Sequence, residues 1–142
     1  MKTVAVVSLL AACCLVASAP AQEQKPVSPQ DRAPTAPKVK RIGVEEFDKL
    51  RLNKTNIVLD VRTAREFKSG HIPGAVNLDI RSPDFDKRVT ELDKSKTYLV
   101  HCAAGGRSAR ACKEMEGMGF KELYDLQPGF MGWEKAGKPI EK

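Results

Sequence analysis

Short apolar runs alternate with longer mixed segments along most of this chain. NIVLDV (56–61) and TYLVHC (97–102) are rich in β-formers and nearly continuous in apolar character, as strands covered on both faces are. AVNLDI (75–80) and ELYDL (122–126) are weaker strands, and KVKRI (38–42) reads as an edge. Between them, VEEFDKLRL (44–52), REFKSG (65–70), DFDKRVTEL (84–92), RSARACKEMEGMG (107–119) and FMGWEKAG (130–137) carry helix-like spacing. This alternation predicts an α/β fold with a mainly parallel central sheet of about five strands, flanked by helices on both faces. Ligands of such sheets bind beyond the carboxyl ends of the strands. Cys102 is the last residue of the most apolar run. Chemistry is expected there.

Composition narrows the partners. The 142 residues are 42% apolar and 30% charged, with a formal charge of +6, ordinary for one soluble domain. Lys and Arg are spread among acidic residues apart from KVKR (38–41), so the dense basic stripe of a nucleic-acid surface is missing. The start of the chain reads differently. MKTVAVVSLLAACCLVASAPAQ has Lys2, then apolar residues from about Val4 to Ala17, then small ones, which is the layout of a secretory signal peptide. The apolar run is shorter than the roughly 20 residues of a membrane span. Residues 1–21 are therefore expected to be a signal peptide cut after Ala21, leaving Gln22 first and the protein exported, to the periplasm or beyond. LAAC (10–13) competes as a lipoprotein signal with Cys13 as the lipidated residue, but it leaves only a short apolar stretch before it. Residues 22–38, with four prolines and few large apolar side chains, are expected to be a disordered linker. The domain is expected over 39–142.

Cys13 and Cys14 fall in the leader, so the mature chain keeps Cys102 and Cys112. Two cysteines in an exported protein invite a disulfide. The local pattern points elsewhere: if 107–117 is helical, Cys112 falls in step with Ala109, Met115 and Met118, on a stripe facing the core. A buried, inert thiol is expected. Around Cys102 the backbone is more telling. Ala103, Ala104, Gly105 and Gly106 are all small and precede a helix. Glycine permits positive φ, small side chains let successive N–H groups converge, and the helix adds its own unpaired N–H groups. Such a cradle favours an anion, and helix N-termini can lower a cysteine pKa from about 8.5 into the range of roughly 3.5–7.5. Cys102 is then a nucleophile that needs no general base. The plainer alternative is a structural cysteine before an ordinary turn.

The segments LDVRTAREFKSGHIPGAVNLDI (59–80), YLVHCAAGGRSARA (98–111) and GFKELYDLQPGFMGWEKAGKPI (119–140) together resemble a single-domain rhodanese. The resemblance implies the rhodanese-like fold and a thiosulfate:cyanide-type sulfurtransferase, in which Cys102 takes a sulfane sulfur as a persulfide and passes it to a thiophilic acceptor. It implies that Ala103, Ala104, Gly105, Gly106, Arg107 and Ser108 form the loop around that sulfur, with no cofactor or metal. Related phosphatases and arsenate reductases place five residues between Cys and Arg. Here there are four, Ala103 to Gly106, which suits a single sulfur better than a tetrahedral oxyanion. Rhodaneses efficient with thiosulfate often carry basic residues in the loop. This chain has alanines, so a different donor is in view. A non-catalytic module that binds sulfide or a thiol is the alternative of another class.

The remaining marked residues have supporting expectations. Asp60 and Arg62 are expected to form an ion pair or hydrogen bond that ties the domain together near the site. His71, in the turn-rich SGHIPGA, is expected to cap backbone groups, and His101 to point away from Cys102 by strand alternation. Arg107 is expected to satisfy carbonyls and a carboxylate around the loop first and to contact substrate second. Ser108 is expected as the helix N-cap, Trp133 as core packing, and the whole as a monomer.

Overall fold

A computed structural model describes residues 39–142, and the leader and linker expected over 1–38 lie outside the described residues. The elements run β1 (Val39–Ile42), α1 (Val44–Arg51), β2 (Ile57–Asp60), α2 (Ala64–Ser69), β3 (Val76–Asn77), α3 (Phe85–Thr90), β4 (Thr97–His101), α4 (Gly106–Gly117), β5 (Glu122–Leu126) and α5 (Gly129–Lys135). All five strands join one sheet in the order β1-β5-β4-β2-β3, and every pairing is parallel. The strands and helices therefore follow the expected alternation.

Strand alternation divides the core into two layers. Leu59, Tyr98, Val100 and Leu123 pack with Phe85 and Val89 of α3 and with Ala111, Cys112 and Met115 of α4. Val58, Leu99 and Leu126 pack on the other side with Phe47 of α1 and with Phe130 and Trp133 of α5. Trp133 is fully buried, edge-on to Phe47 with ring centroids 6.1 Å apart, and its Nε1–H donates to the Pro139 carbonyl at 2.8 Å. Central strand β4 thus feeds both layers, and its last residues separate accordingly. His101 lies among Phe47 and Phe130. Cys102 belongs to the α4 layer.

Two local expectations change. The AVNLDI strand shrinks to Val76–Asn77. Beyond it the chain still bonds to the end of β2, Leu78 N–H to Asp60 O and Ile80 N–H to Val61 O, but without a regular ladder. On α4 the buried stripe is Ser108, Ala111, Cys112 and Met115, with Ala109 and Met118 only partly buried. A spacing of three alone drifts around a 3.6-residue helix, whereas i, i+3, i+4, i+7 holds one face. Cys112 is buried and free all the same.

The carboxyl end of β2 carries a buried knot. Arg62 Nε donates to both Asp60 oxygens at 3.0 Å, and its Nη2 donates to Asp60 Oδ2 and to the Gly70 carbonyl, each at 2.7 Å. The guanidinium lies 4.0 Å from the Phe130 ring centre. Asn77 Nδ2 donates to the carbonyls of Asp60 and Arg62 at 3.0 and 2.9 Å. One ion pair thereby joins β2, the turn after α2, β3 and α5. Removing one partner would strand the other charge away from water, a loss of about 3–5 kcal/mol. Asp60→Ala is expected to lower unfolding stability by that amount in urea titration, and a change below about 1 kcal/mol would show that water already screens the pair.

Candidate active site

Between β4 and α4 the chain makes a four-residue turn, Cys102 to Gly105, directly at the carboxyl end of the central strand. The Cys102 side chain is buried at 1% exposure. The Gly105 N–H donates to its sulfur at 3.1 Å, and the Ser108 hydroxyl stands 3.6 Å away. Burial is the largest single influence on this thiol and raises its pKa. Donors from the Ser108 amide and hydroxyl, then the Ala104 and Gly105 amides, act the other way and leave it below the ordinary thiol value. The thiolate is the nucleophilic form of the residue, and the N–H groups favour it.

The N–H groups face the sulfur because the carbonyls are taken from behind. Phe130 and Met131, at the start of α5, donate their amides to the carbonyls of Cys102 and Ala103 at 2.7 and 2.9 Å. That approach needs Gly129: any Cβ there would collide with the Ala103 carbonyl. Gly105 is equally constrained, with φ +95° and the Gln127 carbonyl where its Cβ would be. Gly106 differs. It has ordinary helical backbone and open space around it, so only one of the two loop glycines shapes the cradle.

Arg107 is held in a two-pronged clamp. Its Nη1 and Nη2 donate to Glu66 Oε2 and Oε1 at 2.8 and 2.6 Å. The same carboxylate accepts from the Thr63 amide and hydroxyl at 3.0 and 2.7 Å, while Thr63 Oγ1 accepts from the Glu66 amide. Arg107 first, with help from Thr63, holds the Glu66 carboxyl well below the usual range. Glu66 is the residue that sequence reading did not assign to the site. Its signal was present as the capping box T-x-x-E at 63–66. Ser108 is a correction: the N-cap is Gly105, and α4 starts at Gly106. Ser108 sits instead in the first turn, buried, donating to the Gly105 carbonyl at 3.0 Å. A side-chain cap was not needed because the loop delivers the turn through left-handed Gly105.

The histidines stand apart from the sulfur. His71 stacks on Phe67 with ring centres 3.8 Å apart, its Nδ1 lies 3.1 Å from the Phe67 carbonyl, and its backbone pairs with Glu141. His101 is buried on the far face, and burial pushes its pKa down to about 4, so it is neutral. Cys112 is pushed strongly upward by burial and stays a thiol. Among the described residues no group of His, Cys, Asp and Glu is arranged to hold a metal ion.

The Rhodanese-like domain family matches residues 44–136. The chain belongs to this family. A putative sulfurtransferase of Bacillus subtilis, YtwF, is 36% identical over 92 residues, covering 65% of this chain and 86% of that protein. The thiosulfate sulfurtransferase GlpE of Ectopseudomonas mendocina is 37% identical over 103 residues, covering 72% of this chain and 90% of that one. Among solved structures, a rhodanese-related protein of Thermoplasma volcanium superposes with a TM-score of 0.64 at 27% identity, over 72% of this chain and 97% of the other. A rhodanese-like domain protein of Staphylococcus aureus gives 0.62 at 27%, over 72% and 99%.

Within this rhodanese-like domain, the two loop glycines are expected to separate on substitution. Gly105→Ala forces a strained backbone against the Gln127 carbonyl and is expected to slow iodoacetamide labelling of Cys102 by tenfold or more, as a thiol that loses about one pKa unit of stabilisation does. Gly106→Ala is expected to label at the parental rate. Equal rates for both variants would mean that Gly105 does not set the cradle.

Proposed function

We propose that this rhodanese-like domain is a sulfurtransferase that carries sulfane sulfur as a persulfide on Cys102. The observation that carries the reading is the Gly105 N–H on Cys102 Sγ at 3.1 Å, on a thiol whose pKa lies below the ordinary value. The names borne by YtwF and GlpE support it. In the first half-reaction the Cys102 thiolate attacks the outer sulfur of a donor such as thiosulfate. The S–S bond to the sulfonate breaks, sulfite leaves with the bonding pair, and Cys102 holds the persulfide anion. In the second, a nucleophilic acceptor such as cyanide attacks that terminal sulfur, and the electron pair returns to Cys102. Neither half moves a proton, which agrees with a loop that offers donors and no base.

The charge balance bears on the donor. Ala103 and Ala104 are uncharged, and the guanidinium of Arg107 is committed to Glu66. The loop thus offers a sulfonate no free cation, which favours persulfide donors over thiosulfate. The four residues between Cys102 and Arg107 likewise favour sulfur over phosphate. On incubation with glutathione persulfide, and less readily with excess thiosulfate or mercaptopyruvate, the Cys102 peptide is expected to gain the mass of one sulfur, and added cyanide to release thiocyanate. Cys102→Ser is expected to do neither. Should none of these donors load Cys102, with Cys102→Ser indistinguishable from the parent, the sulfurtransferase reading fails and the binding-module alternative takes its place.

We further propose that residues 1–21 direct export and that the mature chain begins at Gln22. Mass spectrometry of the protein from the extracytoplasmic fraction is expected to find that terminus, unchanged by Cys13→Ser. Retention of Met1, or processing that depends on Cys13, would replace this with a cytoplasmic or a lipid-anchored form.

A further inference from the structure

Residues 138–141 follow α5 as a strap tied to α1, to α5 and to the turn after α2. Lys138 Nζ bridges Glu45 Oε2 and Asp48 Oδ2 at 2.9 and 3.0 Å. The Pro139 carbonyl accepts from Trp133 Nε1 at 2.8 Å. Glu141 pairs with His71 in an antiparallel bridge: its carbonyl accepts from the His71 amide at 2.8 Å, and its amide donates to the His71 carbonyl at 2.9 Å. The Gly74 amide donates to Glu141 Oε2 at 3.2 Å. Pro139, Ile140 and Glu141 are all exposed, so these ties do not serve to bury them. All four residues lie beyond 44–136, the span that the Rhodanese-like domain family matches.

The strap covers Gly70. A Cβ added to Gly70 would stand 3.0 Å from Ile140 Cγ2, 3.8 Å from Phe130 Cζ and 3.9 Å from the Glu141 carbonyl oxygen. Ile140 and the tip of the Phe130 ring therefore meet at one glycine, and the strap fastens the next residue, His71. Arg62 closes the ring from another direction, with its guanidinium 4.0 Å from the ring centre and its Nη2 donating to the Gly70 carbonyl. The same residue, Phe130, donates its amide to the Cys102 carbonyl at 2.7 Å. Ring and amide share one Cα, so a ring free to tilt takes the aim of the amide with it, and hydrogen bonds weaken as they bend.

We propose that Ile140 is a positioning residue for Cys102: with the Glu141–His71 bridge it holds the Gly70 turn against the Phe130 ring, and so keeps the Phe130 amide on the Cys102 carbonyl. Without that hold the carbonyl is free to turn toward the sulfur, where its negative end disfavours the thiolate. The inference rests on the sulfurtransferase reading only in taking Cys102 as the nucleophile.

The test follows iodoacetamide labelling of the Cys102 peptide by mass spectrometry across pH in the full chain, with thermal unfolding of each variant beside it, so it needs no sulfur donor. Ile140→Ala is expected to raise the labelling midpoint by about half a unit, roughly threefold less thiolate well below it. Glu141→Pro, which removes the amide bonded to the His71 carbonyl, is expected to do the same. Ile140→Val, which keeps the Cγ2 methyl over Gly70, is expected to label at the parental midpoint. Lys138→Ala frees the strap from α1 alone and is expected to lower thermal stability without moving the midpoint. Phe130→Ala keeps the amide and removes the ring, and Ile140→Ala added to it is expected to change nothing more. The proposal is overturned if Ile140→Ala and Glu141→Pro alter only thermal stability, if Lys138→Ala or Ile140→Val raises the midpoint as far as Ile140→Ala, or if the Ile140→Ala shift persists without the Phe130 ring. Where Phe130→Ala does not fold, the contrast between Ile140→Ala and Lys138→Ala decides: a midpoint raised only by the first supports the proposal, and equal midpoints sink it. A chain that keeps this labelling pattern yet takes up no sulfur would refute the transferase reading and leave the role of Ile140 standing.

Discussion

The constraint on which the site depends is the direction of two carbonyl groups. In a short turn each peptide can present either its N–H or its C=O inward, and a carbonyl turned toward Cys102 would repel the very charge the loop is meant to hold. The Phe130 and Met131 amides remove that choice by bonding the Cys102 and Ala103 carbonyls from below. Their approach is possible only because Gly129 has no side chain. The cradle is thus built from two helix starts, α4 in front and α5 behind, and neither would suffice. A disturbance of α5, far along the chain, acts on the nucleophile through these bonds.

Charge is handled by the same economy of free groups. Three strong charges, Asp60, Arg62 and Arg107, lie near the carboxyl end of the sheet, and each is engaged by a protein partner. The Arg62–Asp60 pair is buried, so it contributes geometry more than net stability, since desolvation offsets most of its attraction. The Arg107–Glu66 pair is more exposed and contributes orientation: two parallel bonds fix the plane of the guanidinium. Thr63 then ties that plane to the first turn of α2. What remains to act on Cys102 is neutral: peptide N–H groups and one hydroxyl. Such donors stabilise a compact anion by contact and do little for charge a few ångströms further out.

Local signals in the chain foretold most of this. The runs at 56–61 and 97–102 marked the two central strands because they are covered on both faces, and Cys102 at the end of the second marked the site. Residues whose role depends on distant chain were harder. Gly129 reads as a turn glycine in QPGF, and nothing in its surroundings says that it admits two amides to a loop 26 residues earlier. Glu66 was visible as a capping box, but its second duty toward Arg107 arises only when α2 and α4 meet. Ser108 was misplaced for a related reason. Helix-cap rules describe the helix end alone, whereas here the loop before it, through Gly105, had already set the first turn.

The depth of the sulfur gives the arrangement its chemical sense. Cys102 Sγ sits where burial opposes ionisation, and the hydrogen-bond donors around it outweigh that opposition. A sulfur atom bonded to it would lie about 2 Å from Sγ, in a loop that includes the half-buried Ala103 and the exposed Ala104 and Gly106. In the proposed persulfide the negative charge is on that outer atom rather than on Sγ. Bulkier side chains in place of the loop alanines would close that space, and a deeper, drier loop would hold the thiol protonated. The small residues around Cys102 therefore set how far the charge can move, and that distance separates a sulfur carrier from a merely acidic thiol.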